Sequence, residues 1–175
     1  QKFTLAFDGD PDLNVYLNRN VLPRAFAVSH AVIVPNQQAA FDAIHAPDFD
    51  PATQVVVENG PPLSGADETV APGTVRVTHY GLNRLELDVD LPTAGYVALS
   101  EVYYPGWEAE TDGAATPIYR ANYAFRAVYV GAGAHHLSLT FRPVLWRIGL
   151  AIAGFAALVL IVFSLMKNLT GLKRL

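Results

Sequence analysis

The stretch "NRLELDVDLPTAGYVALSEVYY", residues 83–104, sets the fold class. In its first half, Leu85, Leu87 and Val89 alternate with charged residues, which is typical of a strand with one face on a core and the other in water. The second half, from Gly95 onward, is longer and more apolar, as expected for a strand near the centre of a sheet. The chain is therefore predicted to be mainly β.

Further strands flank this stretch at a regular spacing. Pro-Gly, Asp-Gly and Gly-Ala-Gly turn signals separate them. The predicted strands are residues 74–80, 123–130 and 135–141 downstream of the loop at 59–73, with extended runs at 25–34 and 53–58 before it. Turns every 8 to 12 residues predict an antiparallel, jelly-roll-like β-sandwich with residues 74–143 as its core. One short helix is expected at 36–46, capped by Asn36 and ended by Pro47.

The C-terminal part of the chain predicts a single membrane span. No charged residue occurs from Ile148 to Met166, and as a helix this run measures about 28 Å at ~1.5 Å per residue. That length approaches the ~30 Å hydrocarbon core of a bilayer, and a buried core helix is the weaker alternative. We expect a β-rich domain at 1–143, a transmembrane helix at 144–166 and a basic tail at 167–175.

Residues at the ends of the span predict how it is anchored. Trp is favoured at the membrane interface, and small residues four apart suit close helix packing. The expected anchoring and packing residues are Trp146, Arg147, Gly149, Ala153, Ala157 and Lys167. Three basic residues follow the span and two precede it, which favours a cytoplasmic C-terminus and a β-domain on the other side.

Composition excludes several function classes. A net charge of −4 with 12 scattered Lys and Arg residues argues against nucleic acid as a partner. The absence of cysteine excludes thiolate metal sites and a Cys nucleophile. The acidic run at 8–13 lacks the Gly and Glu of a calcium loop, and no serine lies in a G-x-S-x-G motif. The chain is therefore predicted to have no catalytic residue, metal or cofactor. It begins with Gln and not Met, which indicates processing or a longer protein.

The segment 103–130 is the densest in aromatic residues and is the candidate binding surface. Aromatic faces beside polar groups suit sugars, whereas alternation along a strand favours core packing, and both interpretations stay open. The candidate glycan or partner surface comprises Tyr103, Tyr104, Trp107, Tyr119, Arg120 and Asn122.

Five stretches together resemble a known family. They are "LNRNVLPRAFAV" (17–28), "DFDP" (48–51), "LSEVYYPGWEAETDG" (99–113), "PIYRANYAFRAVYVGAGAHHLSLTFRP" (117–143) and "IGLAIA" (148–153). In this order they resemble the C-terminal portion of bacterial YfhO-like membrane proteins.

The resemblance implies a fragment of a larger architecture. Such proteins look like polytopic glycosyltransferases of the GT-C type, which use lipid-linked sugars. Their extracytoplasmic β-rich domain precedes the last helix, and their catalytic acids lie in an early loop without a counterpart here. This implies a non-catalytic module in the bacterial cytoplasmic membrane, with the bilayer, a glycolipid and a polytopic part or other membrane proteins as partners. The alternative is a single-pass structural subunit of a larger complex, respiratory or photosynthetic.

Overall fold

A computed structural model describes residues 3–10, 12–63 and 73–171, without the side chains of residues 147 and 164–171. About half of this part of the chain is strand. The elements are β1 (Phe3–Asp10), β2 (Leu13–Asn18), β3 (Ala25–Val28), β4 (His30–Val34), α1 (Gln37–Ile44), β5 (Gln54–Glu58), β6 (Thr74–Tyr80), β7 (Arg84–Leu91), β8 (Gly95–Val102), β9 (Trp107–Thr111), β10 (Ala114–Thr116), β11 (Ile118–Ala121), β12 (Phe125–Val130), β13 (Gly133–Phe141) and α2 (Val144–Gly171). The mainly β fold class is confirmed.

Two sheets pack face to face and enclose the main core. One has the strand order β10-β9-β13-β7-β6 and the other β3-β8-β12-β11-β5-β4. Leu87 and Leu137 of the first sheet and Val97 and Val128 of the second are completely buried between them. The predicted alternation in 83–91 therefore matches the structure, because the apolar positions of β7 point inward and its charged positions outward.

The second sheet draws on residues outside the predicted sandwich core at 74–143. The extended run at 25–34 divides at Ser29 into β3 and β4, which lie at opposite edges of this sheet. The β4–β5 pair is parallel and is therefore an exception to the predicted antiparallel pairing. A parallel pair needs a crossover connection, and α1 with its flanking turns supplies it.

Helix α1 forms where the sequence predicts a short helix. The side chain of Asn36 accepts a hydrogen bond from the Ala39 N–H at 2.9 Å, which caps the first turn. Ala40 is buried against Val34 and Val56, so the helix covers the inner side of the β4–β5 pair.

The outer face of the second sheet buries an aromatic cluster. The ring of Tyr96 is fully buried, makes edge contacts with Tyr119 and Tyr129, and donates from its hydroxyl to the Pro61 carbonyl at 2.7 Å. Several aromatic residues of this region thus build a second core layer.

Helix α2 leaves the sandwich directly after β13. Within it, Val144–Phe163 is long and apolar enough to cross a membrane, and none of this segment is buried inside the chain. Trp146 is exposed, and Gly149, Ala153 and Ala157 lie on the unpartnered helix. The side chains of Arg147 and Lys167, and the end of the basic tail at 172–175, lie outside the described residues.

Candidate functional site: a row of arginine–aromatic stacks

The candidate site is built around a buried arginine. Strand alternation points Arg126 of β12 inward on the same side as Val128, and its exposure is only 1%. Its guanidinium lies over the ring of Trp107, 4.1 Å from the ring centroid, and forms an ion pair with Glu101. Burial lowers the pKa of Arg126, while the carboxylate of Glu101 opposes this effect. A buried charge requires such a partner, so Glu101 is essential to this arrangement.

Two more arginines repeat the same arrangement beside Arg126. Arg24 lies 4.4 Å from the ring centroid of Tyr80 and donates to its hydroxyl at 3.0 Å and to Glu101 at 3.4 Å. Arg120 pairs in register with Arg126 on the neighbouring strand, so both point inward.

Arg120 also has an aromatic and an acidic neighbour. Its guanidinium lies 5.1 Å from the ring centroid of Tyr103, and its Nε lies 3.8 Å from a carboxylate oxygen of Glu58. Cation–π contacts of this kind stabilise by about 0.5–1 kcal/mol when exposed and more when desolvated. We call this set the arginine row, namely Arg24, Arg120 and Arg126 with Tyr80, Tyr103, Trp107, Glu58 and Glu101.

The arginine row contains unpaired hydrogen-bonding groups. Among the described residues, the buried side-chain atoms without a hydrogen bond are Nε and Nη1 of Arg126 and Oε1 of Glu58. Buried polar groups are normally paired, so the two Arg126 nitrogens call for water or a ligand. Glu58 Oε1 lacks a hydrogen bond but has Arg120 as its ion-pair partner.

A cavity of about 390 Å³ lies against this row. Its walls include Tyr80, Leu82, Leu85, Glu101 and Trp107. Arg126 lies directly behind two of these walls, because it contacts both Trp107 and Glu101. The volume is within the range of about 300–1,000 Å³ found for small-molecule sites, and the lining combines aromatic surface with one carboxylate.

The cavity lies at the end of the sandwich from which α2 emerges. The N–H of Phe141 donates to the carbonyl of Asn83 in the β6–β7 turn at 2.9 Å. The N–H of Arg142 donates to the carbonyl of Gly106 at 2.6 Å. Gly106 has φ +102°, and a Cβ there would lie 3.2 Å from Pro143, so the Pro-Gly turn packs against the entry to the helix.

The six predicted surface residues fall into three groups in the structure. Tyr103, Trp107 and Arg120 come together in the arginine row. Tyr104 is 63% exposed, and its ring lies near Phe141, toward the helix. The other two members point elsewhere.

Tyr119 and Asn122 serve the framework. Tyr119 lies on the outer face of the second sheet, where it contacts the buried Tyr96. The side-chain oxygen of Asn122 accepts a hydrogen bond from the Val56 N–H at 2.9 Å. The backbone N–H of Asn122 donates to the Val56 carbonyl at 2.8 Å. Asn122 thus continues the β11–β5 ladder with its side chain.

Sequence reasoning missed the charged residues that complete the row. These are Arg24, Glu58, Glu101 and Arg126, together with Tyr80. One signal was available, since Arg126 occupies an inward position in an otherwise apolar strand. A charge at such a position predicts a buried partner without identifying it.

Comparison with known proteins matches the chain to a family of bacterial membrane proteins. A family model described as "Bacterial membrane protein YfhO" matches residues 51–153. The chain belongs to this family. It is 31% identical over 93 residues to a protein of Bacillus subtilis (strain 168) described as "Uncharacterized protein YfhO". That match covers 53% of this chain and 11% of the relative, so the chain spans about a tenth of the relative's length. No solved structure matches.

Proposed function

We propose that this chain is a non-catalytic, membrane-anchored, extracytoplasmic module that holds a glycan or glycolipid for a polytopic glycosyltransferase of the YfhO family. The observation that carries the proposal is the cavity of about 390 Å³ against the arginine row. Aromatic rings such as Tyr80 and Trp107 can stack on the apolar faces of a sugar. This module would act by positioning its ligand near the membrane surface.

The polar groups of the cavity wall favour a hydroxyl-rich ligand. A hydroxyl donates one hydrogen bond and accepts others, so a sugar can satisfy both kinds of group. Tyr80 and Glu101 line the cavity and provide a phenol hydroxyl and a carboxylate. A purely anionic group would lie beside the Glu101 carboxylate, which only accepts hydrogen bonds.

Binding of a glycolipid to the full chain in nanodiscs tests the proposal. The probe is a glucosyl diacylglycerol, compared with the same diacylglycerol without sugar, and native mass spectrometry measures retention. Tyr80→Ala removes one wall of the cavity, and Tyr16→Ala is the matched control because the two tyrosines are 56% and 57% exposed. We expect sugar-dependent retention that Tyr80→Ala reduces and Tyr16→Ala preserves. Equal retention of both lipids would refute glycan binding.

The proposed sidedness rests on the basic residues that flank the span. Lys167, Lys173 and Arg174 follow it, and Arg142 and Arg147 precede it. The chain has no cysteine, so a Cys introduced at Ala132, an exposed residue in the turn before β13, reports the side directly. A membrane-impermeant maleimide added to intact cells should label it, and labelling only after lysis would place the domain in the cytoplasm.

A structural role in a larger membrane complex is the second candidate. The β1–β2 hairpin favours it, because Phe3, Leu5, Phe7 and Val15 are each about half exposed. An isolated two-stranded hairpin is marginally stable in water, so a partner surface would stabilise it. Leu5→Asp should release copurifying membrane proteins from native membranes if this is the role. Unchanged copurification, or the absence of any stoichiometric partner, would count against it.

A further inference from the structure

The end of the sandwich from which α2 emerges carries exposed apolar side chains on separate turns. Leu82, at the tip of the β6–β7 turn, is 97% exposed, and Tyr104, before the Pro-Gly turn, is 63% exposed. Trp146 in the first turn of α2 is 67% exposed. An isolated exposed apolar residue needs no explanation, but several at one end indicate an interaction surface.

Hydrogen bonds attach both turns to the chain just before the helix. The β6–β7 turn is linked to Phe141 through the carbonyl of Asn83, and the Pro-Gly turn is linked to Arg142 through the carbonyl of Gly106. The helix then begins at Val144. The two turns cannot move far from the helix entry without breaking these bonds.

The length of the first turn of α2 sets how far this end of the sandwich stands from the hydrocarbon when α2 crosses a bilayer. The charge-free run begins at Ile148, four residues after the start of α2. When that run fills the hydrocarbon, Val144 lies about 6 Å outside it at ~1.5 Å per residue. The headgroup layer on each side of a bilayer is about 5–7 Å thick, as the difference between ~30 Å of hydrocarbon and ~40–45 Å overall shows. Side chains at the level of Val144 that point along the helix therefore reach lipid.

We propose that Leu82 and Tyr104 insert into the interfacial layer of the same bilayer that α2 spans and hold the sandwich against the membrane. The surface is continuous with the span, and its residue types suit an interface, since Tyr and Trp are enriched there. The side chain of Arg142 is 60% exposed beside these turns, faces Glu108 at 3.5 Å, and can also meet lipid phosphates. The proposal does not depend on the ligand of the arginine row.

The opposite end of the sandwich provides the internal reference. Strand β13 has nine residues between Gly133 and Phe141, so its two ends lie about 27 Å apart at ~3.4 Å per residue. Ala132, in the exposed turn that begins β13, therefore lies well away from the bilayer surface. A probe at Ala132 should sense water only.

Site-directed spin labelling of the full chain in nanodiscs tests this arrangement. The chain has no cysteine, so Leu82→Cys, Tyr104→Cys and Ala132→Cys each carry a single label. Collision rates with oxygen, which partitions into lipid, and with a water-soluble nickel chelate give a depth for each label. We expect Leu82 and Tyr104 to favour oxygen and Ala132 to favour the nickel chelate. Matching circular dichroism spectra would establish that the labelled chains keep the fold.

Two results would overturn the proposal. If all three labels favour the nickel chelate, the sandwich stands away from the bilayer. If the labels at Leu82 and Tyr104 are immobile and shielded from both reagents, protein and not lipid covers this end. Because the assay needs no glycolipid, its outcome is separate from that of the binding test.

Discussion

The ion pair of Arg126 and Glu101 predicts a large and asymmetric response to mutation. Arg126 is 1% exposed, so Glu101→Gln leaves a guanidinium buried without a negative partner. Breaking a buried pair from one side costs about 3–5 kcal/mol of unfolding free energy. For a domain of this size, ~1 kcal/mol changes the melting temperature by roughly 2–4 °C, which predicts a fall of roughly 6–20 °C.

Removing the arginine should cost less. Arg126→Met fills much of the same space with an apolar side chain, and Glu101 keeps its contact with Arg24 at 3.4 Å. The side chain of Glu101 is 16% exposed, so water can reach it, and we expect a cost of about 1–2 kcal/mol. The double variant should resemble Arg126→Met alone, because it retains no unpaired buried charge.

Thermal and urea unfolding of the full chain in detergent micelles, followed by far-UV circular dichroism, measures all three variants. Glu108→Gln is the matched control, since Glu108 is 55% exposed and faces Arg142 at 3.5 Å. That exposed pair should contribute less than about 1 kcal/mol. The reasoning is refuted if Glu101→Gln costs no more than Glu108→Gln. It is also refuted if the cost of the double variant equals the sum of the single costs.

Three further predictions concern the framework and are measured by unfolding. Gly106→Ala should cost at least about 1–3 kcal/mol, because φ is +102° and the new Cβ would crowd Phe141 and Pro143; Gly113→Ala shares a positive φ of +80° but meets open space and should cost less, and equal costs would contradict this. Asn122→Ala should cost about 1–3 kcal/mol, because it leaves a buried N–H of β5 unpaired, and an unchanged midpoint would contradict that role. The hydrogen bond to Asp112 raises the pKa of His135 in the folded chain. The contact therefore stabilises the fold fully below ~6.5, the pKa of His135 in the unfolded chain, and this stabilisation is lost as pH rises through the pKa in the folded chain. His135→Gln should remove this loss of stability at higher pH. If the variant still loses stability over the same pH range, another group is responsible.

Acid should also weaken the contact between His135 and Asp112, through protonation of Asp112. The hydrogen bond from His135 lowers the pKa of Asp112, and so does the bond from the His136 N–H. Because the pKa of Asp112 is lower in the folded chain, the contact stabilises the fold above about 3.9, the pKa of an Asp in the unfolded chain. This stabilisation is lost as pH falls through the pKa of Asp112 in the folded chain. The pair therefore contributes most at mildly acidic pH, between the two titrations.

Local patterns alone predicted a substantial part of this protein. The alternation in β7, the Asn36 cap of α1 and the charge-free run of α2 each depend on residues a few positions apart, where sequence spacing fixes geometry. The motif series also indicated the family, to which the chain belongs.

Tertiary structure alone decided which residues form the candidate site. Arg126 meets Glu101 across 25 positions of sequence, and Arg24 meets Tyr80 across 56, so no local spacing could pair them. Pairing of β12 with β11 and β8 fixes the inward side on which Arg126 and Arg120 stand together. The same alternation points the neighbouring Tyr119 to the opposite face. A shift of one residue in strand register would turn every side chain of the strand to the opposite face of the sheet. The register is fixed only when the strands pair in the assembled sheets.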